Sequence, residues 1–73
     1  RLAARDGKNC FVCLAILAFS LLTIEHLLSF VHGGTDNENN LCLACESCNT
    51  ALGSMPLTKK IELIIVRRGH VSA

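Results

Sequence analysis

Glu25 and His26 stand side by side in Thr23-Ile24-Glu25-His26-Leu27-Leu28-Ser29-Phe30, downstream of the apolar run Phe11-Val12-Cys13-Leu14-Ala15-Ile16-Leu17-Ala18-Phe19. A carboxylate buried in such surroundings without a partner costs several kcal/mol or shifts its pKa until it neutralises. An imidazole with an unperturbed pKa near ~6.5 is largely neutral at pH 7 and can accept a proton from a water. On a strand the two side chains point to opposite faces, so they can serve different atoms. Alone, such a histidine is more often a hydrogen-bonded core residue than a catalyst.

A second set of reactive residues is more specific. Five cysteines lie at 10, 13, 42, 45 and 48, and Cys10-Phe-Val-Cys13 and Cys45-Glu-Ser-Cys48 are two C-x2-C pairs with 31 residues between them. Two residues between thiolates let both sulfurs of a tight turn reach one tetrahedral ion, with Zn–S near ~2.3 Å, and two such knuckles close a structural site. A disulfide framework competes, but the odd count and the lack of a convincing secretory segment argue against it. Cys42-Leu-Ala-Cys45 is itself a C-x2-C. If residues 40–44 form a strand, Cys42 shares a face with Ala44 and behaves as a small buried hydrophobe. The expected zinc ligands are therefore Cys10, Cys13, Cys45 and Cys48.

A site of this kind meets a need set by size. Seventy-three residues make one small domain or a piece of a longer protein, with 51% apolar residues, three Phe and neither Trp nor Tyr. A chain this short buries only about 60% of the surface its unfolded form exposes, and small scaffolds usually need a staple. Structural zinc contributes on the order of 10–16 kcal/mol of folding free energy.

The apolar run from Phe11 to Ile24 has fourteen residues before its first charge, short of the roughly 20 a membrane span needs. A basic start (Arg1, Arg5, Lys8) suits a signal peptide, but Asp6, the nearby cysteines and the missing A-x-A-like site do not. The run reads as a core segment, with no membrane partner and a cytoplasmic location. All seven Lys and Arg (1, 5, 8, 59, 60, 67, 68) lie outside residues 9–58, while Glu25, Asp36, Glu38 and Glu46 lie inside. Four thiolates and one Zn²⁺ would turn the formal +1 into about −1. That excludes a strongly basic nucleic-acid binder. Affinity for a polyanion must come from Arg5, Lys8, Lys59, Lys60, Arg67 and Arg68, or from other domains or subunits. Lys59, Lys60, Arg67 and Arg68 fit a solvated helix face equally well.

These residues must be held by short elements. Residues 1–6 read as the end of a helix stopped at Gly7, followed by the first knuckle and an apolar connector over residues 14–22. Thr23 to His26 reads as a strand with a β-branched pair, and Gly33-Gly34 opens a polar loop through Asn39. Residues 40–44 form the second strand, and the second knuckle opens a helix over residues 46–52. Gly53-Ser54-Met55-Pro56 breaks it, and Pro56 suits the start of a helix over 57–68 that places Leu57, Ile61, Ile64 and Ile65 on one face. His32 reads as an exposed loop residue and His70 as part of a frayed tail.

Taken in order, T-I-E-H, G-G-T-D-x-x-N-N-L and C-x-x-C-N, with flanking C-x2-C pairs, resemble the HNH endonucleases of the His-Me finger (ββα-metal) superfamily in their zinc-knuckle form. His26 precedes Asn40 by fourteen positions, and Asn40 precedes Asn49 by nine. The likeness runs from Arg5-Asp6-Gly7 to Gly53. It implies an α+β fold, a small ββα-metal domain stapled by the C4 zinc site with flanking helices. Residues 1–73 would be one nuclease domain with a core over 5–53.

The resemblance also implies divalent-metal-dependent cleavage of double-stranded DNA to 5′-phosphate and 3′-hydroxyl ends. His26 would be the general base. Glu25 and the side-chain oxygen of Asn49 would hold a catalytic Mg²⁺ or Mn²⁺, which tolerates two protein oxygens plus waters and phosphate oxygens. Asn40 would organise the loop that orients His26, where a bond to the other ring nitrogen would fix the tautomer. The chain departs from the family pattern in four places. Glu25 replaces the usual Asp, Leu28 and Ser29 stand where proline is common, Ala51-Leu52 where lysine is common, and the 14–22 connector is unusually apolar. A catalytically weak or inactive zinc-knuckle module binding DNA or protein is the alternative.

Overall fold

In a computed structural model, residues 2–69 are described. Arg1 and His70 lie outside the described residues. The order of elements is α1 (Leu2–Asp6), β1 (Leu22–His26), β2 (Leu41–Cys45), α2 (Glu46–Leu52) and α3 (Leu57–Arg67), with short 3-10 turns at Phe19–Leu21, Phe30–His32 and Glu38–Asn40. Helix α1 ends where expected. Gly7 takes the left-handed conformation at φ 81° and its N–H donates to the Ala3 carbonyl at 2.8 Å.

The strands form one antiparallel ladder that pairs Leu22 with Cys45, Thr23 with Ala44, Ile24 with Leu43, Glu25 with Cys42 and His26 with Leu41. Paired residues share a face. Thr23, Glu25, Cys42 and Ala44 therefore stand on one face, Ile24, Leu41 and Leu43 on the other. Both strands differ from expectation by one residue. Strand β1 starts at Leu22, and β2 starts at Leu41 because Asn40 closes the preceding 3-10 turn.

The core lies between the knuckles and the helices. Cys10, Val12, Ala44, Cys48, Leu52 and Ile64 are buried together, with Cys13, Cys45, Met55 and Leu63 packed against them. The cysteines expected to hold a metal thus lie in or against the apolar core.

The connector corrects an expectation. Val12 is fully buried, but Leu14, Ile16, Phe19 and Leu21 are exposed. Backbone bonds explain this: Leu14 N–H donates to the Cys10 carbonyl at 2.8 Å and Leu17 N–H to the Lys8 carbonyl at 3.0 Å, which folds the segment back along the surface. Leu14 itself adopts φ 67°, a conformation a leucine rarely takes. Among the described residues, no helix is long and apolar enough to cross a membrane.

Helix α3 is also rotated from the expected face. Its buried residues are Lys60 and Ile64, while Leu57, Ile61 and Ile65 are exposed. An apolar-periodicity rule assigns lysine to solvent. Here its stem lies inward and its ammonium has a partner there.

Candidate functional site

Four thiols come together as the knuckle spacing requires. The Sγ atoms of Cys10, Cys13, Cys45 and Cys48 all lie within 4.8 Å of one another. A tetrahedron with ~2.3 Å bonds has edges of roughly 3.8 Å, so the set fits a structural metal such as zinc. Burial acts to raise the Cys10 thiol, but the backbone N–H groups of Cys13, Cys45 and Val12 outweigh it and bring it down to about 7. Cys42 is different. Burial, then the neighbouring Glu25 carboxylate, push its thiol up to about 12. It stays a neutral thiol between the strands and the core, the role its place in the ladder assigns.

Two of the arginines expected at a nucleic acid brace this centre. Arg67 Nη1 donates to Cys48 Sγ at 3.3 Å and Ser47 Oγ at 3.5 Å. Arg68 Nε donates to the Phe11 carbonyl at 3.1 Å, and its guanidinium lies 4.7 Å over the Phe11 ring. They tie α3 to both knuckles. Arg5 is engaged too, donating to the carbonyls of Glu38 and Leu41 at 2.9 Å each and to the Asp6 carboxylate. Lys8 is exposed. Lys59 is exposed beside Glu62, at 3.7 Å.

A cleft of about 260 Å³ opens at the end of β1, with Glu25, His26, Ser29, Phe30, Ser54 and Lys60 in its wall. The structure brings Glu25 and His26 to one cavity. His26 Nε2 lies 2.7 Å from Asp36 Oδ1. A carboxylate can only accept there, so Nε2 carries the proton and the neutral ring keeps its lone pair on Nδ1. Phe30 lies against the imidazole, with ring centroids 4.8 Å apart.

The loop behind His26 is clamped by Asn40. Its Oδ1 accepts from Leu28 N–H at 2.8 Å, and its Nδ2 donates to the carbonyls of Leu28 at 2.9 Å and Thr35 at 2.8 Å. Gly34 completes the clamp, since a Cβ there would sit 1.6 Å from the Leu28 carbonyl oxygen. His32 Nε2 donates to the Ser54 carbonyl at 3.1 Å, joining this loop to the α2–α3 connection.

Glu25 and Asn49 are each held by other partners. Lys60 Nζ donates to Glu25 Oε2 at 2.7 Å and to the His26 carbonyl at 2.6 Å. The side chains of Lys60 and Glu25 are only 1% and 5% exposed. Lys60 is thus no contact for a phosphate. Asn49 Nδ2 donates to Thr23 Oγ1 at 2.7 Å and to the Ile24 carbonyl at 3.3 Å, and Asn49 is not among the residues that line the cleft. The donor set of a Glu25–Asn49 divalent site does not fit this arrangement.

Sequence reasoning missed Asp36 as the partner of His26 and Lys60 as the partner of Glu25. Asp36 could have been found from its place in the Gly-Gly-Thr-Asp loop, which must fold back over β1. Lys60 carried no such signal.

The family model described as HNH endonuclease matches residues 10–55, more than half of the chain. No curated protein matches it. The two-stranded ladder followed by α2, with the four-cysteine cluster, is the ββα-metal fold.

Proposed function

The chain belongs to the HNH endonuclease family, and we propose that it cuts double-stranded DNA with His26 as the base that activates water. The observation that carries this is the ordered imidazole: Asp36 holds Nε2 at 2.7 Å, and Asn40 fixes the loop from Leu28 to Thr35 by three bonds. The tautomer so selected offers Nδ1 to a water in the cleft. Water loses its proton to Nδ1 as its oxygen attacks phosphorus, the P–O3′ bond breaks and the leaving 3′-oxygen takes a proton from solvent, while Asp36 stabilises the imidazolium that results. A metal bound by Cys10, Cys13, Cys45 and Cys48, which we take to be zinc, holds the knuckles and α2 in place and takes no part in the chemistry.

The working unit in this proposal is the whole of residues 1–73, since α3 supplies Lys60, Arg67 and Arg68 to the site and its metal centre. Lys8 and Lys59 are its outward-facing candidates for phosphate contacts, weak enough that other DNA-binding parts would add affinity.

A second reading has its own observation in its favour. The carboxylate that family resemblance assigns to an ion is already neutralised by Lys60, which suits a module that binds DNA or protein without cutting. Plasmid nicking by the zinc-loaded domain, with and without Mg²⁺ or Mn²⁺, separates the two. Under the nuclease reading the wild type nicks, His26→Ala does not, and Asp36→Asn nicks more slowly with a changed pH profile. Equal cutting by wild type and His26→Ala, or none by either, overturns it.

A further inference from the structure

The cation of the cleft is part of the chain. Lys60 projects from α3 to place its ammonium between a Glu25 carboxylate oxygen at 2.7 Å and the His26 carbonyl oxygen at 2.6 Å. Both oxygens belong to consecutive residues of β1, and the Lys60 side chain is 1% exposed. An anionic and a neutral oxygen donor converging on one positive charge is the donor chemistry expected of a divalent ion at this place. Among the described residues, no buried side-chain nitrogen or oxygen lacks a hydrogen-bond partner. No buried donor in the cleft therefore awaits an ion.

We propose that the Lys60 ammonium is the resident cation of this cleft and stands in place of the divalent ion that Glu25 would otherwise hold. Lys60 is then a positioning residue. It never meets substrate, but it fixes the Glu25 carboxylate and the backbone of His26, and through that backbone the imidazole. A hydrated Mg²⁺ or Mn²⁺ would have to displace a desolvated ion pair, expelling one partner into water while the other stayed buried. That exchange is unfavourable because breaking such a pair leaves an uncompensated charge inside the fold. Removing the ammonium should reverse the preference and open the carboxylate to a metal ion.

This assignment rests on the nuclease reading of the cleft, but its test does not measure cleavage. Mn²⁺ binding to the zinc-loaded domain is followed by electron paramagnetic resonance, with zinc content and circular dichroism reporting the fold. Wild type and Glu25→Gln should give the same Mn²⁺ titration, with no bound ion that depends on Glu25. Lys60→Ala should gain one bound Mn²⁺, lost again in Lys60→Ala/Glu25→Gln. A wild-type Mn²⁺ site abolished by Glu25→Gln overturns the proposal, whether or not Lys60→Ala folds.

The side-chain nitrogen resonance of Lys60 in the wild type gives a second measurement. It should be unmoved by excess Mg²⁺, and a shift or loss on titration would count against the proposal. If these outcomes hold while no nicking is seen, only the nuclease reading fails. If nicking depends on His26 while Glu25 binds Mn²⁺ in the wild type, only the resident-cation proposal fails.

Discussion

Lys60 and Glu25 lie 35 residues apart in sequence and meet at 2.7 Å with almost no solvent access to either side chain. The pair joins α3 to β1 beside the cleft, so the helix and the strand share one electrostatic lock.

Removing one member should be far worse than removing both. Lys60→Met leaves Glu25 buried opposite an apolar stem and should cost about 3–5 kcal/mol. Lys60→Met/Glu25→Gln should recover most of that loss, because a neutral amide needs no counter-charge. Urea melts of the zinc-loaded single and double variants check this. Additive losses in the double variant would show that the two do not interact.

Asn40 should matter to both stability and chemistry. Asn40→Ala strands Leu28 N–H and the carbonyls of Leu28 and Thr35, three groups it now satisfies. The expected cost is about 1–3 kcal/mol, with nicking reduced further because the loop behind His26 is released. Zinc stoichiometry should be unchanged, since the thiol cluster lies elsewhere. Thermal melts, metal analysis and nicking on one preparation test all three statements.

The five cysteines should divide four to one. Cys48→Ser should lose zinc and unfold, whereas Cys42→Ala should keep one zinc per chain. Cys42 also predicts a pH effect. Its thiol is held at about 12 in the fold against an ordinary value near ~8.5 when unfolded. The unfolded chain therefore releases this proton first. The contribution to stability is complete below pH ~8.5 and falls by about 1.4 kcal/mol per pH unit as the pH climbs toward the folded value. Stability of Cys42→Ala should decline less steeply over that range. Parallel alkaline slopes would show that Cys42 does not titrate as described.

Several parts of this arrangement could be read from residues alone, for identifiable reasons. Ligand spacing in C-x2-C is short-range geometry, so Cys10, Cys13, Cys45 and Cys48 were legible. Cys42 followed from strand alternation once its partner thiols were assigned. Asn40 is one residue that fills several bonds, and its motif position marks it. Helix α3 was legible as a helix but not in its orientation. Leu57, Ile61 and Ile65 make a persuasive apolar stripe, yet Lys60 and Ile64 turn inward. A charge that is buried because another charge awaits it 35 positions away is a tertiary fact, invisible to any local pattern. The same holds for the bonds of Arg67 and Arg68, whose guanidiniums reach a thiol and a carbonyl.

Helix α3 begins beyond residue 55, where the family match ends. A protein cut at that boundary would keep its four thiols and its histidine but lose the ammonium that pairs with Glu25. Such a minimal domain would carry self-inflicted electrostatic frustration, and grafting this module onto another scaffold demands that the trailing helix travel with it.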